Sequence, residues 1–162
     1  ANAATPRAAK LADAAPEPRG NGELVLIADN EQALRETMAV SLTQHGYRVE
    51  TTGTSPEAIA RLRSPQDPVH LLITGWNLPI VSGEQFLELV RGVRPRIPTL
   101  ILSNDAPLNP AGGEQQPLAV LPKPFLNSTL LHRVKSLLQR SDARSHGTVP
   151  ADSRFRGNPA SD

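Results

Sequence analysis

Apolar residues follow two alternating rhythms through the middle of the chain: short unbroken runs, and longer stretches spaced three and four apart. The runs at 23–28, 47–52, 69–74, 98–103 and 118–121 predict five strands covered on both faces, because continuous hydrophobicity leaves no side for water. Between them the period changes. Leu34, Met38 and Leu42 share one face of a helix expected over 31–45, with Gly46 suited to the left-handed turn that follows a helix end. Ser55 as N-cap and Pro56 at the first helical position open a second helix, which turns Ala58, Ile59 and Leu62 inward. A third helix uses Phe86, Leu89 and Val90, and a last one uses Leu130, Val134, Leu137 and Leu138. This alternation predicts a parallel sheet whose strands are joined by crossover helices.

The crossover between the fourth and fifth strands breaks the rhythm. Residues 106–117 include Pro107, Pro110, Gly112, Gly113 and Pro117, and interior proline and glycine cost a helix ~3 and ~1 kcal/mol each. A short fourth helix, or none, is expected there. Residues 1–22 are alanine-rich with Pro6, Pro16 and Pro18, while 141–162 mix Gly147, Pro150, Gly157 and Pro159 with serine, aspartate and arginine. Neither stretch has the apolar surface to offset the entropy of ordering, so a disordered linker and a disordered tail are expected to flank one folded domain at 23–140. A linker running straight into a domain suggests a piece of a longer protein.

Composition narrows the function classes. With 162 residues the chain supports a single domain with a substantial core. Seventeen basic and 16 acidic side chains leave a net charge of +1, too weak a field to imply nucleic acid or an anionic membrane, so the expected partner is another protein. The absence of cysteine excludes a disulfide framework and a thiolate metal site and suits a reducing cytosol, hence a cytoplasmic location. No apolar run approaches the ~20 residues that span a bilayer. His45, His70, His132 and His146 lack metal-ligand spacing and read as surface or helix-end residues.

Candidate chemistry gathers where strands end. Leu24-Val25-Leu26-Ile27-Ala28 runs into Asp29-Asn30-Glu31; Leu71-Leu72-Ile73-Thr74 runs into Gly75-Trp76-Asn77-Leu78-Pro79 and on to Gly83; Leu100-Ile101-Leu102 ends on Ser103; Leu121-Pro122 precedes Lys123-Pro124-Phe125. Singly each has an ordinary reading: Asn30 as an N-cap, Ser103 as a strand-end hydroxyl, Lys123 as a solvated lysine, Trp76 as a packing residue.

In this order and spacing the four motifs resemble those of two-component receiver domains, over about residues 23–140. The resemblance implies a flavodoxin-like, doubly wound α/β fold with five parallel strands in the order 2-1-3-4-5. The first and last helices would lie on one face, the second and third on the other. It also implies a pocket in which adjacent acids hold magnesium, an aspartate accepts a phosphoryl group, and a hydroxyl and a lysine contact it. The peptide before the motif proline is usually cis in the family.

The departures point to function. Gly75 stands at the phosphoacceptor position, Asn30 at one of the paired acids, and Val120 where an aromatic residue belongs to the activation switch. An acyl phosphate needs a nucleophilic carboxylate, which glycine lacks. Magnesium wants several oxygen ligands, so Asp29 alone is a weak candidate and no cofactor is expected; the two readings left for Asp29 are weak cation binding and a pair with Lys123. The resemblance then implies a pseudo-receiver, not an enzyme, acting by phosphorylation-independent contact with a histidine kinase or another receiver. It would be the terminal receiver of a hybrid kinase or a stand-alone regulator. One alternative is an active receiver with an atypical acceptor, Thr74 or Ser82; another is a structural adaptor outside phosphorelay. A flavin or nucleotide enzyme on this fold would want a Gly-, Ser- or Thr-rich phosphate loop, and Ala28-Asp29-Asn30-Glu31 offers none.

Overall fold

The computed structural model of the chain describes residues 18–104 and 116–147. In chain order the elements are β1 (Leu24–Ala28), α1 (Gln32–Gln44), β2 (Arg48–Thr52), α2 (Ser55–Arg63), β3 (Leu71–Gly75), α3 (Gly83–Val93), β4 (Thr99–Leu102), β5 (Leu118–Leu121) and α4 (Asn127–Gly147). All strand pairings are parallel, in the order β2-β1-β3-β4-β5. This is the flavodoxin-like sheet that the motifs imply.

Alternation along each strand divides the core into two. Val25, Ile27, Leu71, Ile73, Leu100 and Leu102 face Met38 and Leu42 of α1 and Leu130, Leu131, Val134 and Leu137 of α4. Leu24, Leu26, Ala28 and Leu72 face Ala58 and Leu62 of α2 and Phe86 and Val90 of α3. Successive strand side chains point to opposite faces, so wholly apolar strands serve both layers at once. The helix pairs sit on the expected faces.

Several local expectations need correction. β2 is an edge strand whose Arg48, Glu50 and Thr51 are exposed; only Val49 packs on the core. The second helix is capped by the Thr54 hydroxyl, which accepts from the Glu57 N–H, while Ser55 is buried as the first helical residue. In α3 the inward residue is Leu87, whereas Leu89 is 46% exposed. The first helix begins after Glu31, not on an Asn30 cap. Gly46 does take the left-handed turn after α1, with φ +93.

The domain reaches beyond the expected boundaries at both ends. α4 continues to Gly147, through residues that composition assigns to the tail. Ahead of β1, the Gly20 and Gly22 N–H groups donate to the carbonyls of His45 and Gly46, and Lys135 of α4 donates to the Arg19 carbonyl. Residues 19–22 thus form a strap over the C-terminal end of α1. A Cβ on Gly20 would stand 2.3 Å from the Tyr47 ring, so the strap passes where only glycine fits. The expectations for residues 1–17 and 148–162, and the missing helix at 106–117, concern chain at 1–17, 105–115 and 148–162 that lies outside the described residues.

Candidate functional site

The carboxyl ends of β1, β3 and β4 and the turn after β5 surround an open polar cleft of about 450 Å³. Asp29, Asn30, Gly75, Trp76, Ser103 and Lys123 all line it, together with Glu31, Asn77 and Asn104. Of the residues picked from sequence, Val120 and the alternative acceptors Thr74 and Ser82 are not among its lining residues. Val120 is half-buried on β5, its carbonyl accepting from Arg133 of α4. Open parallel sheets collect sites at this end because loops diverge there to opposite faces.

Asp29 follows β1 directly and is fully buried. Its Oδ1 accepts from the Glu31 N–H at 2.8 Å, a local turn two residues long that leads into α1, whose N-cap is Glu31 and receives no side-chain cap. Its Oδ2 lies 3.2 Å from Lys123 Nζ. The same ammonium donates to Glu31 Oε1 at 2.6 Å. Burial by itself would depress the Lys123 pKa, but the bond to Glu31 and the charge of Asp29 outweigh it and hold the ammonium above its ordinary value. Lys123 is held at its backbone too: its carbonyl accepts from Asn104 Nδ2 at 2.6 Å, and the Lys123–Pro124 peptide is cis, as the family pattern implies.

A partly exposed pair of Asp29 with Lys123 would contribute only about 0–1 kcal/mol. With Asp29 wholly out of water the balance differs, because removing one partner would leave a buried charge uncompensated. Sequence reading missed Glu31 as the second partner. Its place two residues after Asp29 was the available signal, but only the fold brings Lys123 across to it.

Gly75 ends β3, paired with Leu102 of β4. A Cβ built there would meet Asp29 Oδ2 at 2.8 Å and its Cγ at 3.2 Å, closer than side chains normally approach. The Asp29 carboxylate therefore leans over the glycine into the space a residue-75 side chain would enter. Trp76 lies on the start of α3, where a Cβ on Gly83 would come within 2.3 Å of the indole. The ring both packs on α3 and borders the cleft.

The remaining groups are engaged structurally. Ser103 is buried at the end of β4, and its N–H donates to the Leu121 carbonyl. The Thr74 hydroxyl is buried and donates to the Gly75 carbonyl at 2.8 Å. Ser82 caps α3 in a reciprocal capping box with Gln85. Among the described residues no three histidine or acidic side chains converge in a way that would hold a metal ion. No described helix is long and apolar enough to cross a membrane.

Strand order, cleft position and the lysine–cis-proline turn together define a receiver. Residues 25–135 match the model of the response regulator receiver domain, and the chain belongs to that family, the signal-receiving module of two-component systems. The response regulator MprA of Mycobacterium tuberculosis is 30% identical over 119 residues, a match covering 72% of this chain and 51% of that protein. The chain thus spans about half the length of the curated relatives it matches. Among solved structures, a response regulator receiver protein from Sinorhizobium medicae is 26% identical with a TM-score of 0.65, the match covering 74% of this chain and 97% of that one. A CheY-like receiver domain protein from Methanospirillum hungatei shares the fold with a TM-score of 0.67 at 22% identity, over 76% of this chain and 98% of that one.

Proposed function

We propose that this domain is a pseudo-receiver, which works by binding a histidine kinase or another receiver without being phosphorylated. The observation that carries the reading is the end of β3: Gly75 has no side chain, and the space above it is taken by the carboxylate of Asp29. No nucleophile stands at the acceptor position, and both Asp29 oxygens are already engaged.

The donor set fits magnesium poorly. Among the described residues Asp29 is the one buried acid, Glu31 is exposed and already paired with Lys123, Asn30 offers at most a neutral oxygen, and Lys123 brings a resident positive charge to the carboxylates. A hard divalent ion would have to displace that ammonium and gather its remaining ligands from water. Magnesium binding is therefore weak or absent. An active receiver using Thr74 or Ser82 draws little support, since the first hydroxyl is buried and the second caps a helix.

Binding in this reading uses the groove of about 440 Å³ between α1 and the turn after β5. Leu34, Met38, Pro124, Phe125 and Leu130 line it, with Glu31 and Lys123 on its rim. The Lys123–Glu31–Asp29 contacts tie that turn to α1, so the groove keeps one shape without a phosphorylation signal. Isothermal titration with kinase dimerisation domains from the same organism tests this. Affinity for a cognate module should be unchanged by magnesium and acetyl phosphate and should fall at least tenfold in Phe125→Asp. Binding that requires acetyl phosphate would overturn the proposal.

A further inference from the structure

A second cleft, of about 480 Å³, lies at the opposite pole of the sheet, where β3 and β4 begin and α3 ends. Among its described lining residues Arg94, Arg96 and His70 contribute the charged or titratable groups, Ser141 of α4 closes one side, and none of those residues is a carboxylate. Pro68, Pro95 and Pro98 stiffen the segments that carry these side chains.

Each donor has a defined state. Arg94 is half-buried, and its guanidinium makes one hydrogen bond, from Nη2 to the Val69 carbonyl at 2.7 Å. That bond holds the fork at the cleft and leaves most of its N–H groups without a protein acceptor. Two acids of the neighbouring segments are committed elsewhere: Asp67 pairs with Arg48, and Glu50 pairs with Arg61. Burial, and then the neighbouring charge of Arg61, push the Arg94 pKa down. His70 Nδ1 accepts from the Leu24 N–H at 3.1 Å, which places the ring hydrogen of the neutral imidazole on Nε2, on the far side of the ring from Leu24. Arg96 is exposed beside them.

We propose that this cleft is a binding site for a small oxyanion, a phosphate or carboxylate group held by the Arg94 and Arg96 guanidinium forks and the His70 Nε2–H. A planar guanidinium matches such groups with two parallel N–H···O bonds, and a half-buried cation without an anionic partner is stabilised by gaining one. The site lies across the sheet from the phosphoacceptor position, so it stands or falls independently of the pseudo-receiver reading.

Amide NMR titration of the full chain at constant ionic strength tests the assignment, with sodium phosphate, sodium acetate and sodium chloride as separate arms. Saturable shifts at His70, Arg94, Arg96 and Ile97 with phosphate or acetate, absent with chloride, are expected. Arg96→Gln, an exposed position that leaves the Arg94–Val69 tie intact, should weaken the response about tenfold without altering the rest of the spectrum. Arg94→Gln should abolish it. Shifts that rise linearly without saturation, or that chloride reproduces, or that survive both substitutions, overturn the proposal.

Discussion

Replacing Gly75 by alanine isolates the contact on which the account turns. Gly75 does not have positive φ, so alanine meets no backbone strain. On chain entropy alone the substitution should stabilise by about 0.4–1 kcal/mol. The new Cβ, however, would stand 2.8 Å from Asp29 Oδ2, and an ordinary contact of 3.4 Å requires the carboxylate to withdraw by about 0.6 Å. Asp29 is fully buried and held on both oxygens, so the move weakens its bond to the Glu31 N–H or to Lys123. Hydrogen bonds to charged groups contribute about 1.5–3 kcal/mol, which leaves a net loss of about 1–2 kcal/mol and a midpoint lowered by roughly 3–8 °C. Urea denaturation of the wild type, Gly75→Ala, Asp29→Ala and the double variant reads the coupling directly. In the Asp29→Ala background the alanine should cost nothing or stabilise. A neutral or stabilising Gly75→Ala in the wild-type background would refute the claim that Asp29 occupies that space.

Three further outcomes follow from neighbouring contacts. Lys123→Met should lose about 3 kcal/mol by stranding a buried carboxylate, whereas Glu31→Gln, at an exposed rim position, should lose about 0–1 kcal/mol in the same denaturation assay. Burial, with the charge of Glu23, pushes the Tyr47 phenol up to about 12. Its contribution to stability is therefore complete below about pH 10 and declines as pH rises towards 12, where the unfolded chain ionises first. Tyr47→Phe should flatten that decline and, by deleting a buried hydroxyl with no hydrogen-bond partner, stabilise the domain by about 1 kcal/mol at neutral pH. Gly83→Ala should displace the single tryptophan from α3, seen as a red shift in Trp76 emission; an unchanged spectrum would contradict the close packing.

Much of this was legible in the chain because the signals were periodic or local. Apolar runs marked β1, β3, β4 and β5, of which β1 and β3 feed both core layers, and helical spacing placed Met38, Leu42, Leu62, Phe86 and Val134 on inward faces. β2 was legible as a strand but not as an edge, since exposure depends on which strand lacks a neighbour. Leu89 and Leu87 are interchangeable by spacing; only the angle at which α3 meets the sheet decides between them. At the site, the motifs put Asp29, Gly75, Ser103 and Lys123 together before any geometry. Glu31 as a partner of Lys123, the lean of Asp29 over Gly75, and the strap at 19–22 arise from contacts between segments distant in sequence, which no local pattern records.

The central claim, that the domain offers phosphorus no carboxylate at the end of β3, is tested most directly by intact-mass measurement after incubation with magnesium and acetyl phosphate. The account predicts an unmodified mass under conditions that modify an active receiver run in parallel. A stable gain of one phosphoryl group on the native chain, retained after desalting and mapped to the cleft, would contradict it.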